Sequence, residues 1–176
     1  MAARIDMQPL FVIGTRPEIV KTAPVIKEFE DRRGIRCYLL HTGQHYSEKM
    51  SRAFFEDMDL RAPDENLNIG SGTHSEQTAK ALLGIEKTLM REEPDVVLVQ
   101  GDTNAVLSAA LAAVKLHIPV GHIEAGLRSY DYRMPEEHNR RLTDHASTYL
   151  FAPTQETLPG RSSKAQQERA CRSSPP

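Results

Sequence analysis

Short, nearly unbroken apolar runs at residues 10–13, 37–41, 95–100, 118–123 and 149–152 are separated by helix-like segments. A strand that is apolar on both faces has to be buried on both faces, and strands joined through helices run parallel. The pattern predicts an α/β fold: a Rossmann-like, mainly parallel sheet with helices on both faces. Helices are expected over 17–33, 48–58, 75–92, 103–117 and 135–148. Leu82, Ile85 and Leu89 supply a helical stripe in the third of these, and Met50, Phe54 and Met58 supply one in the second. Ser75 is the candidate cap of the third helix. Pro24 lies inside the first and is expected to kink it, because its ring crowds the carbonyl of Val20. Residues 61–72, with Pro63, Gly70 and Gly72, read as a polar loop.

The chain has 176 residues, which suits one domain with a proper core. That domain is expected over 1–158. Residues 159–176 carry no apolar periodicity and read as a disordered or aberrant tail. A net charge of −2 gives no cationic field, so nucleic acid is not an expected partner. Cys37 and Cys171 do not make a disulfide framework. No run approaches the roughly 18 apolar residues of a membrane span, and residues 1–9 are too short and mixed for a secretory signal. A cytoplasmic location is expected.

Charged residues gather where strands end. Gly14-Thr15-Arg16-Pro17-Glu18 follows the first run, with Lys21 one turn into the helix. Backbone N–H groups there, with Arg16 and Lys21, suit an anion; a plain glycine turn with solvated cations is the competing reading. Gly-x-Gly-x-x-Gly and Walker patterns are absent. Asp102 with Thr103 reads as a helix cap, and Glu136 four residues before Arg140 reads as a surface ion pair. Glu124 is harder to dismiss, since it follows a buried strand directly, with Arg128 in the same loop. His41, His45, His138 and His145 lack partners at ligand spacing, so no metal is expected. Carboxylate and lysine acid–base chemistry around an anion remains.

These blocks, in this order, resemble a known family. Gly14-Thr15-Arg16-Pro17-Glu18 with Lys21 and Pro24 is similar to the opening of the non-hydrolysing UDP-N-acetylglucosamine 2-epimerases. So are Thr42-Gly43-Gln44-His45-Tyr46, Gly101-Asp102-Thr103, His122-Ile123-Glu124-Ala125-Gly126-Leu127-Arg128 and Pro135-Glu136-Glu137-His138-Asn139-Arg140. Thr143-Asp144-His145 and Phe151-Ala152-Pro153-Thr154 continue the resemblance, which covers about residues 8–157.

It implies the N-terminal lobe of a glycosyltransferase-B-like fold, whose second lobe is not in this sequence. It also implies interconversion of UDP-N-acetylglucosamine and UDP-N-acetylmannosamine by elimination and re-addition of UDP, without metal or other cofactor. The family's catalytic roles would fall on Lys21, Asp102, Glu124, Glu136 and Arg140, with Glu136 and Arg140 as an orienting or proton-handling pair. Arg16, Gln44, His45 and Arg128 would bind substrate, Gln44 and His45 by contacting a second, activating sugar nucleotide. A homodimer through the lobe's helices is a further expectation. So is weak or absent turnover by the lobe alone. The alternatives are a hydrolysing epimerase and a remnant lobe that binds a UDP-sugar or partner without turnover.

Overall fold

The computed structural model describes residues 7–43 and 55–157. Gln44, His45, the start of the expected 48–58 helix and the expected tail at 159–176 lie outside those residues. Strands β1 (Pro9–Ile13), β2 (Tyr38–His41), β3 (Glu65–Asn66), β4 (Val96–Gln100), β5 (Val120–Ile123) and β6 (Tyr149–Phe151) form one sheet. Their spatial order is β3-β2-β1-β4-β5-β6, and every neighbouring pair is parallel. The helices are α1 (Arg16–Glu30), α2 (His74–Glu92), α3 (Asn104–Lys115) and α4 (Pro135–Ala146), followed by a short 3-10 turn at Gln155–Thr157.

Period-two alternation sends each strand's apolar side chains into two cores. Leu10 and Val12 of β1 join Leu40, Val97, Val99, Ile85, Leu89 and Ala109 on the face covered by α2 and α3. Phe11 and Ile13 join Leu39, Leu98, Ile19, Ala23 and Ile26 on the face covered by α1. Helix α3 is buried almost all round, through Ala105, Val106, Ala109, Ala110, Ala112 and Ala113, because it is packed against β4, α2 and α4 together. Its small side chains permit that crowding.

The two faces are not equally covered. On the α1 side, Tyr149 and Phe151 of β6 are 52% and 53% exposed. Phe151 lies over Gly121, where an added Cβ would come within 3.1 Å of the ring and 2.6 Å of Leu98.

Three local expectations are corrected. The cap of α2 is Thr73, not Ser75: Thr73 Oγ1 accepts from the Glu76 N–H and the Glu76 carboxylate accepts from the Thr73 N–H. That reciprocal box satisfies two end donors, which a lone serine would not. The 61–72 loop contains β3, a two-residue polar edge strand with no alternation to betray it; it forms because the N–H groups of Asp64 and Leu67 reach the carbonyls of Leu39 and His41. Helix α1 runs continuously from Arg16 to Glu30 through Pro24. Pro24 and Val20 are exposed, so the carbonyl deprived of a partner faces water. Helices α1, α3 and α4 also end two or three residues earlier than their periodicity suggests.

Ile85 is fully buried between α2 and the sheet, whereas Leu83 on the same helix is 58% exposed. Ile85→Ala is expected to cost about 2–5 kcal/mol in urea denaturation. Leu83→Ala should stay within about 0.5 kcal/mol.

Candidate active site

Strand order reverses between β1 and β4. From β1 the chain crosses through α1 to β2 on one side, and from β4 it crosses through α3 to β5 on the other. The loops leaving the carboxyl ends of β1 and β4 therefore diverge, opening a crevice where α/β sheets hold ligands. Gly14–Glu18, Gln100–Thr103 and Glu124–Arg128 all stand at that edge.

Glu124 directly follows β5 in the left-handed region, at φ 74°. A non-glycine residue there costs about 1–3 kcal/mol and persists only where its surroundings hold it. Its N–H donates to the Phe151 carbonyl at 3.0 Å, as the Ala125 N–H does at 3.2 Å. The bend aims the carboxylate at α1, where Lys21 Nζ donates to both oxygens at 2.7 and 2.8 Å. The side-chain amide of Gln100, the buried last residue of β4, donates to the same carboxylate. The Lys21 side chain is half exposed, so this pair adds little stability; it fixes a carboxylate at the solvent boundary.

Asp102 forms the second such pair. Gly101, at φ 85°, turns the chain out of β4, and Thr103 caps α3 by accepting from the Val106 N–H. With the cap supplied by Thr103, the Asp102 carboxylate is left to accept from Arg140 of α4. Asn139 donates to the Asp102 carbonyl at 3.0 Å.

Arg140 does not pair with Glu136, despite the i,i+4 spacing. Its second partner is Glu137 at 3.4 Å, and the half-buried Glu136 has no side-chain hydrogen bond or ion pair among the described residues. The face of α4 that carries Glu137, Arg140, Arg141 and Asp144 turns inward, leaving Glu136 at the rim. Glu137 is fully buried and accepts from the Ser129 N–H at 2.8 Å and from Arg141 at 2.8 Å. Burial would raise its carboxyl, but Arg141 and Ser129 outweigh that and hold it below the usual carboxylate range.

The turn after β1 is occupied by the protein itself. Glu18 Oε2 accepts from the Gly14 and Thr15 N–H groups at 2.5 and 2.9 Å, and Glu18 Oε1 accepts from Thr103 Oγ1 at 2.8 Å. To reach those two N–H groups an anion from solution would have to displace this carboxylate. Burial pushes the Glu18 carboxyl above its usual range, against the lowering effect of these donors. Arg16, the first residue of α1, is half-buried beside it. Arg128 gives its guanidinium to Asp144 at 2.6 Å and to the Leu127 carbonyl at 2.6 Å. Among the described residues, no group of three or more His, Cys, Asp or Glu side chains converges as a metal site.

A family model described as UDP-N-acetylglucosamine 2-epimerase matches residues 27–158. The chain belongs to the UDP-N-acetylglucosamine 2-epimerase family. The UDP-N-acetylglucosamine 2-epimerase of Methanococcus maripaludis is 61% identical over 143 residues, covering 81% of this chain and 38% of that protein. The UDP-2,3-diacetamido-2,3-dideoxy-D-glucuronate 2-epimerase of Pseudomonas aeruginosa is 48% identical, over 84% of this chain and 42% of that protein. The crystal structure of Methanocaldococcus jannaschii UDP-GlcNAc 2-epimerase, in complex with UDP-GlcNAc and UDP, superposes with a TM-score of 0.81 at 54% identity. It covers 94% of this chain and 43% of that one. The chain thus spans about two fifths of the length of these epimerases.

Within this family lobe, the sequence reading named Lys21, Asp102, Glu124 and Arg140, and the fold joins them in two cation–carboxylate pairs. It missed Glu18, Gln100, His122, Glu137, Asn139 and Asp144 as contributors. Glu18 was readable, since Thr15-x-x-Glu18 ahead of an apolar run is a capping-box signature. Gln100 and His122 gave no such signal, because a polar residue within a strand discloses neither its face nor its partner.

Glu18→Ala should cost about 1–3 kcal/mol by orphaning buried N–H groups. Glu18→Gln can still accept from them and donate to Thr103, so its stability at pH 7 should match or exceed that of the parent chain. Because the folded Glu18 titrates above its unfolded value, folding weakens as pH rises through that interval, and Glu18→Gln should lack this slope. Asp144, Glu137 and Glu65 titrate below theirs, so their contribution is present at neutral pH and lost as pH falls in both proteins. Urea midpoints from pH 4 to 8 check both signs.

Proposed function

We propose that residues 1–158 are the acid–base lobe of a UDP-N-acetylglucosamine 2-epimerase of the non-hydrolysing kind. One observation carries this reading: two cation-bound carboxylates, Glu124 with Lys21 and Asp102 with Arg140, stand at neighbouring strand ends beside the switch point. Inverting a sugar C2 needs one group to remove the proton and another to return it on the opposite face, each held within reach of the carbon. Glu124 and Asp102 are assigned these two roles, with Lys21, Glu136 and Arg140 completing the catalytic set. As the C2 proton leaves, its electron pair forms the C1–C2 double bond while the C1–O bond to UDP breaks, and re-addition of UDP and a proton reverses both changes. Cations stabilise the departing diphosphate. Arg16, Gln44, His45 and Arg128 are the substrate-binding residues of this reading, Gln44 and His45 through a second, activating sugar nucleotide.

Support for the substrate comes from the relatives' names and from the neighbour that holds UDP-GlcNAc and UDP. The Pseudomonas relative acts on a different UDP-2-acetamido sugar, which makes the sugar ring the variable part. A second lobe would close the crevice and exclude water, so the chain alone is expected to turn over slowly. A cytoplasmic location and a homodimer belong to the same reading, and exposed Leu83 and Met90 on α2 and Leu142 on α4 offer apolar surface to a second copy. No described helix is long and apolar enough to cross a membrane. The exposed Tyr149 and Phe151 favour a second reading, a lobe that binds a UDP-sugar or partner without turnover.

In D2O with UDP-N-acetylglucosamine, the chain should slowly form UDP-N-acetylmannosamine carrying deuterium at C2. Glu124→Gln and Asp102→Asn should each lower that rate about 100-fold or more, with UDP-sugar affinity by calorimetry little changed. Binding without exchange favours the second reading. Release of free sugar with UDP reveals a hydrolysing enzyme, and absence of binding overturns both.

A further inference from the structure

Beneath the two carboxylates lies a buried ionic tie that the acid–base scheme does not use. His122 of β5 is 1% exposed, and both of its ring nitrogens are engaged. Nε2 lies 2.8 Å from the Gly101 carbonyl oxygen, and Nδ1 lies 2.6 Å from Asp144 Oδ1 on α4. The other Asp144 oxygen accepts from the Gly126 N–H at 3.0 Å and from Arg128 at 2.6 Å. A carbonyl only accepts, so Nε2 carries a proton. The Arg128 guanidinium and the Gly126 N–H, both on Oδ2, favour the ionised form of Asp144. As a carboxylate it also only accepts, so Nδ1 donates as well. Both hydrogen bonds of the ring are then those of an imidazolium, and an ionised partner makes such bonds shorter and about twice as strong.

The tie joins the two loops that carry the proposed proton-handling groups. Gly101, which immediately precedes Asp102, is gripped through both backbone groups: its N–H donates to the Ile123 carbonyl at 3.2 Å and its carbonyl accepts from His122. Asp144 holds Gly126 and Arg128, on the loop that begins with Glu124. We propose that His122 is a positioning residue, a doubly protonated ring that locks, with Asp144, the Asp102 turn to the Glu124 loop and sets the spacing of the two carboxylates. The charged groups around the ring are Asp144 and Arg128 at one side and the Asp102–Arg140 pair beyond Gly101 at the other. Acid–base catalysis tolerates little misplacement of such groups, and a shift of about 1 Å can cost about 100-fold. The proposal rests on the epimerase reading for its consequence in catalysis, and on the hydrogen-bond geometry alone for the state of the ring.

Nitrogen-15 NMR of the histidine-labelled full chain at pH 7.5, where a free imidazole is mostly neutral, reads the ring directly. Both His122 nitrogens are expected to be protonated. Asp144→Asn keeps every partner, since its oxygen accepts from Gly126 and Arg128 while its amide donates to Nδ1. In that variant the ring is expected to become a neutral tautomer with its proton on Nε2. The second measurement is deuterium exchange at C2 of UDP-N-acetylglucosamine by His122→Gln, which reaches only one of the two partners. Its rate should fall about 100-fold while UDP-sugar affinity stays within about threefold of the parent. A neutral His122 in the parent chain overturns the proposal, as does exchange by His122→Gln at the parent rate. A parent chain that exchanges no deuterium defeats the epimerase reading instead, and the ring nitrogens then decide the tie by themselves.

Discussion

The reversal of strand order between β1 and β4 is the constraint on which the rest of the molecule depends. Parallel strands put all their carboxyl ends at one edge of the sheet, and a reversal forces the loops there to part. Backbone polar groups in those loops lose the sheet ladder as a source of partners and need others. Here many of the partners are ionisable side chains. Glu18 closes the β1 turn, His122 holds the β4 turn, and the Glu124 loop is held by Asp144 and the Phe151 carbonyl. The same gap that makes a ligand crevice thus draws charge toward it.

Charge at this edge is sorted by depth. Glu18, Glu137 and Asp144 lie buried under several donors each, and they hold backbone. Asp102 and Glu124 stand nearer the solvent, each with one cation from a different helix. A carboxylate that must exchange protons with a ligand cannot be sealed by three internal donors, whereas one that must hold a loop benefits from them. The strained backbone at Glu124 fits this division, because the φ that turns its side chain out of the strand direction is sustained by hydrogen bonds that the Glu124 and Ala125 N–H groups donate to a carbonyl of the neighbouring strand.

How much was legible differs residue by residue. Leu10 to Ile13 and Val96 to Val99 announced buried parallel strands, since side chains apolar on both faces have few other homes. Asp102, Glu124, Lys21 and Arg140 stood out by lying just beyond such runs or one turn into a following helix. β3 was illegible, because two polar residues at a sheet edge are recruited by the carbonyls of β2 and not by any pattern of their own. Arg140 was assigned the wrong neighbour: sequence spacing favours Glu136, but packing of α4 against α3 turns Arg140 toward Asp102. His122 and Asp144 had no signal as a pair, being 22 residues apart on different elements.

By itself the amino-acid sequence determined the fold class, the order of the strands and helices apart from β3, and which carboxylates stand at strand ends. Those properties follow from local burial patterns and from the order of elements along the chain. Only the tertiary structure decided the partners: Lys21 with Glu124, Arg140 with Asp102, Glu18 inside the β1 turn, and His122 between Gly101 and Asp144. Each of these except the Glu18 turn joins residues far apart in sequence. Their choice depends on how helices are rotated and seated on the sheet, which the fit of α1, α3 and α4 to its two cores settles.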